Sequence, residues 1–302
     1  MAGTERLGWG IVGAAWIADI AVAPAIAESR NGRLVALASR SPERAEELAV
    51  RHGIARVHQS YQEVVDDPQV DCVYIPLINS RHREWAVRAL RAGKHVLCEK
   101  PLAMNADEAV EMARVAAESG RLLMEAFMYR FHPRTRQFVE GIEESVGGVR
   151  HVHACFGFPL SRSENYRWQP ALGGGALLDV GCYVVNVSRW ILGEPTSIAA
   201  TAHAEEVDLS VSISLGFRDA QASLWASFES AEHQELVVVG ERGVARLEKP
   251  FTSHRDPHDP YRLMVEAFAD AVAQGGHAPI PLSDSIANLR LLDSLRVAAR
   301  LG

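Results

Sequence analysis

The sequence predicts an α/β protein in two parts: a doubly wound parallel sheet over 1–127, then an α+β domain over 128–302 built on a large, mostly antiparallel open sheet. Three observations predict it. At 302 residues and 48% hydrophobic, the chain is long enough to build two separate cores. From Leu7 to Met128, short continuous apolar runs alternate with helical patterns; beyond that, strand-like segments follow one another almost directly. Parallel strands need a crossover between them, usually a helix, and antiparallel strands do not.

In the first part the apolar runs are "LGWGIVGAA", "RLVALASR", "VDCVYIPLIN", "HVLCEKP" and "RLLMEAF". Between them lie "IADIAVAPAIAES", "SPERAEELAVRHG", "HREWAVRALRAG" and "NADEAVEMARVAAESG", each patterned as a helix. Strands that are apolar throughout are buried on both faces, which is the condition of a parallel sheet covered by helices on each side. This is a Rossmann-type domain. Ligands of such sheets bind outside the carboxyl ends of the strands, where "GAAWIA", "SRSPER", "IPLINSRH" and "CEKP" all fall.

The first of these, Gly13-Ala14-Ala15-Trp16-Ile17-Ala18, is a degenerate dinucleotide fingerprint with alanine at its second and third glycine positions. Its strand–turn–helix setting suits a pyrophosphate seated on a helix N-terminus, and the same residues would equally make an ordinary tight turn. At the end of the second run, a site for NAD would place a carboxylate to take the ribose 2′-hydroxyl. Ser39 and Arg40 stand there instead, with Arg44 one helical turn on. A hydroxyl and guanidinium groups suit a 2′-phosphate, so the sequence favours NADP over NAD; the other reading of both arginines is solvated surface charge.

The second part reads as strands at "VRHVHACFGF", "TSIAATAHAE", "LSVSISLGF", "QASLWASFES" and "QELVVVGERGVARLEK". One helix interrupts them, "GGGALLDVGCYVVNVSRWILG". On it Asp179, Tyr183 and Asn186 recur at helical spacing and share a stripe, while Leu178, Val180, Val184, Val187 and Ile191 supply apolar surface. In one reading Asp179 favours the helix dipole and Tyr183 buries its ring. In the other, both point into a cleft where a tyrosine hydroxyl exchanges a proton with a substrate alcohol. A tyrosine titrating near its ordinary pKa of about 10 needs a neighbouring cation to act as a base. Lys100, held at the end of a strand by Pro101, is the candidate; its alternative is a surface ion pair with Glu99.

The formal net charge of −7 argues against nucleic acid or an anionic membrane as the main partner, since both call for a concentrated basic surface. A small-molecule substrate fits better. The N-terminus lacks the pattern of a signal peptide, and no run approaches the ~20 apolar residues of a membrane span, so a cytoplasmic protein is expected. Cys72, Cys98, Cys155 and Cys182 are widely spaced within apolar segments, which predicts reduced core residues and no metal site.

Together, "GAAWIA", "IPLINSRHREWAVRALRAGKHVLCEKPLA", "MEAFMYRFHP", "GGGALLDVGCYVVN", "YRLMVEAFADAV" and "SDSIANLRLLDSL" resemble the glucose-fructose oxidoreductase / inositol dehydrogenase / rhizopine-catabolism (Gfo/Idh/MocA) family of NAD(P)-dependent enzymes, across essentially the whole chain. The Glu-Lys-Pro strand end combined with the Gly-rich Asp-x-x-x-Tyr helix carries the specificity of the match. The resemblance implies hydride transfer between a nicotinamide and a carbon bearing a hydroxyl or carbonyl. Lys100 would match the lysine that contacts the reacting oxygen, Tyr183 the acid/base position and Asp179 an orienting residue. Glu99 would lie near the nicotinamide ribose, and Arg167 would approach the nicotinamide. Pro76, Leu77, Asn79 and His82 would match a cofactor-contacting loop.

Tyrosine at 183 with "EAFMYRFHP" is similar to the branch holding trans-dihydrodiol dehydrogenases, aldose dehydrogenases, glucose-fructose oxidoreductase and nucleotide-sugar 3-ketoreductases. The chain departs from the family in its lost second glycine and in a short connection before "DPYRLM". The expected substrate is a sugar, a sugar derivative or a cyclic trans-diol, and the expected assembly a homodimer or homotetramer through the C-terminal sheet. The alternatives are a nucleotide-sugar 3-ketoreductase, a non-catalytic NAD(P)-sensing regulator, and a redox-assisted glycosidase on the same fold. Tyr129, Phe131, His132, Tyr166 and Trp168 are candidates either for a wall against a ring-shaped substrate or for plain core.

Overall fold

The computed structural model describes residues 6–161, 165–252, 255 and 257–301. Its first sheet contains β1 (Leu7–Val12), β2 (Gly32–Ala38), β3 (Arg56–His58), β4 (Cys72–Ile75), β5 (His95–Cys98) and β6 (Leu123–Glu125). All pairings are parallel, in the order β3-β2-β1-β4-β5-β6. The order reverses between β1 and β4, which marks the ligand-binding edge of a Rossmann domain. The helices of the chain are α1 (Ala23–Glu28), α2 (Pro42–His52), α3 (Tyr61–Asp66), α4 (His82–Arg91), α5 (Ala106–Ser119), α6 (Pro133–Glu140), α7 (Ile142–Val146), α8 (Cys182–Leu192), α9 (Pro260–Ala273) and α10 (Leu282–Ala298), joined by short 3₁₀ and π turns.

Local chemistry accounts for these elements. In β1, β4 and β5 nearly every side chain is buried, as the apolar runs require. The helix after β1 opens as a π turn over Ala18–Val22 and continues as α1, with Pro24, which has no N–H to give, just past the change. α2 starts on Ser41, whose hydroxyl accepts from Arg44 N at 3.4 Å, with Pro42 as its first helical residue. β3 lay outside the sequence reading because three half-buried residues at a sheet edge make no apolar run; Arg56 and His58 pair instead with Asp67, each at 3.0 Å.

The two compact units are discontinuous in sequence. The first takes in 1–103, 107–131 and 253–285, the second 104–106, 132–252 and 286–302. A cut at 127/128 assigns α9 to the second half, whereas α9 packs on the first unit. Phe268 lies 5.8 Å from the Trp9 ring, and Asn31 donates to the Glu266 carbonyl at 2.9 Å and to Asp270 at 2.8 Å. Periodicity shows that α9 has an apolar face but not which unit that face meets.

The second unit is built on a mixed sheet of β7 (Val149–Gly157), β8 (Ser197–Ala204), β9 (Asp208–Gly216), β10 (Gln221–Ser227), β11 (His233–Gly240) and β12 (Val244–Glu248). The order is β12-β11-β7-β10-β9-β8, antiparallel throughout except where β7 and β10 run parallel. The expected last strand is a hairpin, β11 and β12. Leu209, Val211, Ile213 and Leu215 are buried along β9, while Ser212 and Ser214 between them are exposed. That alternation is the mark of a sheet with one covered face. Contrary to the expectation that no run is that long, the stretch Pro170–Leu192, ending in α8, is long and apolar enough to cross a membrane by length and composition, and its most apolar part is buried inside the protein. It is the core helix of the unit. The four cysteines are free and buried.

Candidate active site

The first group of candidate residues lies at the carboxyl edge of the parallel sheet. Gly13 follows β1 at φ +117, and a Cβ there would come within 2.8 Å of Leu77 Cδ2. A side chain at 13 would collide with the loop after β4, so glycine keeps the two loops in contact and leaves the turn open. The helix begins at Trp16, which is 73% exposed. Its first N–H groups have no partner within the helix and suit a diphosphate. Ser39 is half-buried after β2, and its Oγ accepts from Ser41 N at 3.2 Å; Arg40 and Arg44 are exposed. A small open turn, a helix start and two solvent-facing guanidiniums fit a phosphorylated dinucleotide.

The second group is the lysine-bearing turn after β5. Lys100–Pro101 is a cis peptide. Buried polar side chains from separate elements hold this turn. Tyr74 of β4 donates its hydroxyl to Glu99 Oε1 at 2.7 Å, and Lys100 N donates to Glu99 Oε2 at 3.3 Å. Leu102 N donates to Glu125 Oε1 at 2.9 Å, and the His82 ring lies 2.9 Å from both Pro101 O and Leu77 O. Neutral and charged hydrogen bonds made in a dry interior lock geometry most firmly. Pro76 and Asn79 are buried beside this edge, and Leu77 is half-buried.

Glu125 was not among the sequence candidates, although a carboxylate inside the run Leu122–Phe127 was the available signal. Burial pushes its pKa up to about 7, against the opposing hydrogen bond from Leu102 N. The unfolded carboxyl titrates near 4.5, so between that pH and about 7 unfolding releases a proton. The stability Glu125 contributes is complete below about 4.5 and falls as pH rises through about 7, by roughly 3 kcal/mol. Glu125→Gln keeps an oxygen for Leu102 N and is expected to remove that loss, raising the denaturant midpoint at about pH 8 and leaving it nearly unchanged at about pH 4. Equal midpoint changes at both pH values would contradict the assignment.

The third group lies in the second unit. Asp179 sits in a π turn, Leu177–Gly181, that leads into α8. Its carboxylate takes two hydrogen bonds from Arg167, Nε to Oδ2 at 2.7 Å and Nη2 to Oδ1 at 3.2 Å. Burial disfavours the charge of Arg167, but Asp179, with Tyr166 and Tyr183, outweighs it and holds the guanidinium pKa above its ordinary value. Asp179 therefore makes a bidentate ion pair with Arg167. Tyr183 is 7% exposed, its ring 5.5 Å from Phe156 and 5.4 Å from Phe251, which stack on each other at 5.5 Å. Asn186 is buried on the same helix.

The glycine loop before this helix is set by Asp208, also absent from the sequence candidates. Asp208 Oδ2 accepts from Leu177 N at 2.5 Å, and burial raises its pKa to about 6. Of the aromatic candidates, Tyr129 is core, edge-on to Phe127 at 5.9 Å, and His132 caps α6 by accepting from Arg134 N at 3.0 Å. Phe131, Tyr166 and Trp168 are half-buried.

A parallel sheet with an open glycine turn, a basic β2 end and a lysine presented on a rigid turn defines a nicotinamide-nucleotide-dependent oxidoreductase. Comparison with known proteins agrees. Residues 7–127 match the model of the oxidoreductase family with an NAD-binding Rossmann fold, and 135–246 match the GFO/IDH/MocA C-terminal domain. The chain belongs to the Gfo/Idh/MocA oxidoreductase family. It is 35% identical to D-xylose 1-dehydrogenase (NADP(+)) 2 of Haloferax volcanii, over 97% of this chain and 98% of that one. It is 34% identical to trans-1,2-dihydrobenzene-1,2-diol dehydrogenase of Xenopus tropicalis, over 79% of this chain and 74% of that one. Among solved structures, the 3-ketoreductase KijD10 from Actinomadura kijaniata, in complex with NADP and TDP-benzene, superposes with a TM-score of 0.92 at 32% identity, covering 97% of this chain and 98% of that one.

Proposed function

We propose that this enzyme transfers a hydride between NADP and a hydroxyl-bearing carbon of a sugar, a sugar derivative or a cyclic trans-diol. The observation that carries the reading is the Glu99-Lys100-Pro101 turn, fixed by Tyr74, His82 and Glu125 so that one ammonium is presented on a rigid support. When bound, the nicotinamide supplies or takes up the hydride. Gly13 to Ile17 would hold the diphosphate, and Ser39, Arg40 and Arg44 the 2′-phosphate that separates NADP from NAD. Pro76, Leu77 and Asn79 would line the cofactor, with Glu99 at the ribose.

Lys100 stabilises the oxygen as it gains negative charge, which is where a preorganised cation contributes most. Tyr183 moves the hydroxyl proton, and the Arg167 guanidinium, whose charge Tyr183 helps to favour, acts beside it. Asp179 orients Arg167. The names of the relatives, which act on a pentose and an arene diol or reduce a nucleotide-sugar, support a ring-shaped polyol.

NADPH formation by the purified protein across aldoses, anhydrosugars and cyclic trans-diols, run in parallel with NAD, tests the reading. Turnover with one class and a preference for NADP is expected. A nucleotide-sugar 3-ketoreductase is the second reading, favoured by the likeness to the Actinomadura kijaniata enzyme; it predicts that a keto nucleotide-sugar alone is turned over. NADP binding with no turnover of either kind would leave a regulator.

We also propose a cytoplasmic homodimer or homotetramer formed through the exposed face of the second sheet. Ser212, Ser214, Ser223, His151 and His153 share that face by their pairing register. Light scattering coupled to size exclusion is expected to give two or four chain masses, and a monomer mass refutes it.

A further inference from the structure

His82 opens α4, and its ring is fully buried. Nδ1 lies 2.9 Å from Pro101 O, in the turn that carries Lys100, and Nε2 lies 2.9 Å from Leu77 O, in the loop after β4. Both neighbours are carbonyl oxygens, which only accept. A neutral imidazole has one N–H, so it donates to one carbonyl and turns a bare nitrogen toward the other; a protonated ring donates to both. The sequence reading grouped His82 with residues that contact the cofactor, yet its two nitrogens are already directed at the protein's own backbone.

We propose that His82 is a positioning residue that ties the loop after β4 to the lysine-bearing turn after β5, gripping both when its ring is protonated and one when it is neutral. The proposal rests on the assignment of Lys100 above. Leu77 is also the residue that a side chain at position 13 would strike, so the same tie reaches the fingerprint turn. Lys100 is thus positioned through the carbonyl of the next residue, Pro101, while Glu125 grips the following N–H of Leu102. The two side chains fix the opposite ends of one peptide unit.

Several charges surround the ring. Burial lowers the His82 pKa; the backbone of Leu77, of Pro101 and, more weakly, of Leu102 opposes this, and Lys100, on the turn, adds to the lowering. Glu99 beside Lys100 accepts from Tyr74. On and before α4, Arg81 and Glu84 pair with each other at 3.0 Å, and Arg83 pairs with Glu111 of α5 at 2.7 Å. The second grip is therefore made on the acid side of the ordinary histidine range and released toward neutrality.

The test is a pH titration of the full-length protein by NMR, following the His82 ring nitrogens and the amides of Ile78 and Leu102, which share peptide units with the two carbonyls. It is run in the wild type and in Glu125→Gln, because Glu125 also titrates against Leu102. The expected result is one common midpoint for the ring and for at least the amide behind the carbonyl that the neutral ring releases, kept in Glu125→Gln. A ring that titrates without moving either amide overturns the proposal, as does a ring that holds its second proton through neutrality.

Kinetics supply the second arm. His82→Phe is expected to lower kcat by about 10²-fold, the scale of a misplaced reacting group, with the Kd for NADP within about threefold. His82→Gln, whose amide nitrogen can donate to one of the two carbonyls while its oxygen only accepts, is expected to recover part of kcat and to lose the pH step. Wild-type kcat in His82→Phe at an unchanged Tm overturns the proposal. If His82→Phe does not fold, His82→Gln and the titration decide. No turnover by the wild type would sink the proposed function, and the amide titration would still decide the tie.

Discussion

Lys100→Ala is expected to lower turnover by about 10²- to 10³-fold, the usual cost of removing one preorganised group at a developing oxyanion. NADP affinity is expected to stay within about threefold, because the diphosphate and 2′-phosphate are assigned to the turns after β1 and β2 and a lost transition-state contact moves kcat rather than ground-state binding. The expectation is strong because the turn has no slack: Glu99, Pro101 and Leu102 are each held by a buried partner, so removing the ammonium leaves its support standing. Fluorescence titration with NADP and steady-state kinetics on the best substrate check both halves. Loss of NADP binding with residual chemistry intact would reverse the assignment and make Lys100 a cofactor residue.

Gly175→Ala is expected to destabilise the protein by about 3 kcal/mol or more and to reduce turnover with it. Gly175 adopts φ +105, outside the range of residues with a side chain, and a Cβ there would lie 2.1 Å from Asp208 Oδ1. The carboxylate would have to move. Doing so breaks its 2.5 Å hydrogen bond to Leu177 N at the start of the helix that carries Asp179 and Tyr183. Denaturant unfolding followed by tryptophan fluorescence measures the loss. A change under about 1 kcal/mol would show that the loop yields and that Asp208 does not hold the helix start.

The parallel sheet was legible because strands buried on both faces must be apolar at every position, and β1, β4 and β5 are. The Asp-x-x-x-Tyr stripe was legible from helical spacing, and the Glu-Lys-Pro turn from its place after an apolar run. What escaped depended on contacts distant in sequence. Arg167 and Asp179 meet across a glycine loop twelve positions long, Asp208 reaches back to Leu177, and the face of α9 meets Trp9 from the far end of the chain. No local pattern encodes such pairs. His82 shows the same limit from another side: its residue type and motif position suggested a ligand contact, and no local pattern shows that its two ring nitrogens lie beside the carbonyls of Leu77 and Pro101.

The most direct measurement is the fate of the transferred hydrogen. NADPH carrying deuterium at the nicotinamide C4 is to be incubated with the protein and the keto form of its best substrate, and the product examined by NMR. Deuterium on the new carbinol carbon, appearing about 10²- to 10³-fold more slowly with Lys100→Ala, is the predicted result. Oxidation of NADPH with the label lost to water, or no transfer to any carbonyl despite tight NADP binding, would contradict the account.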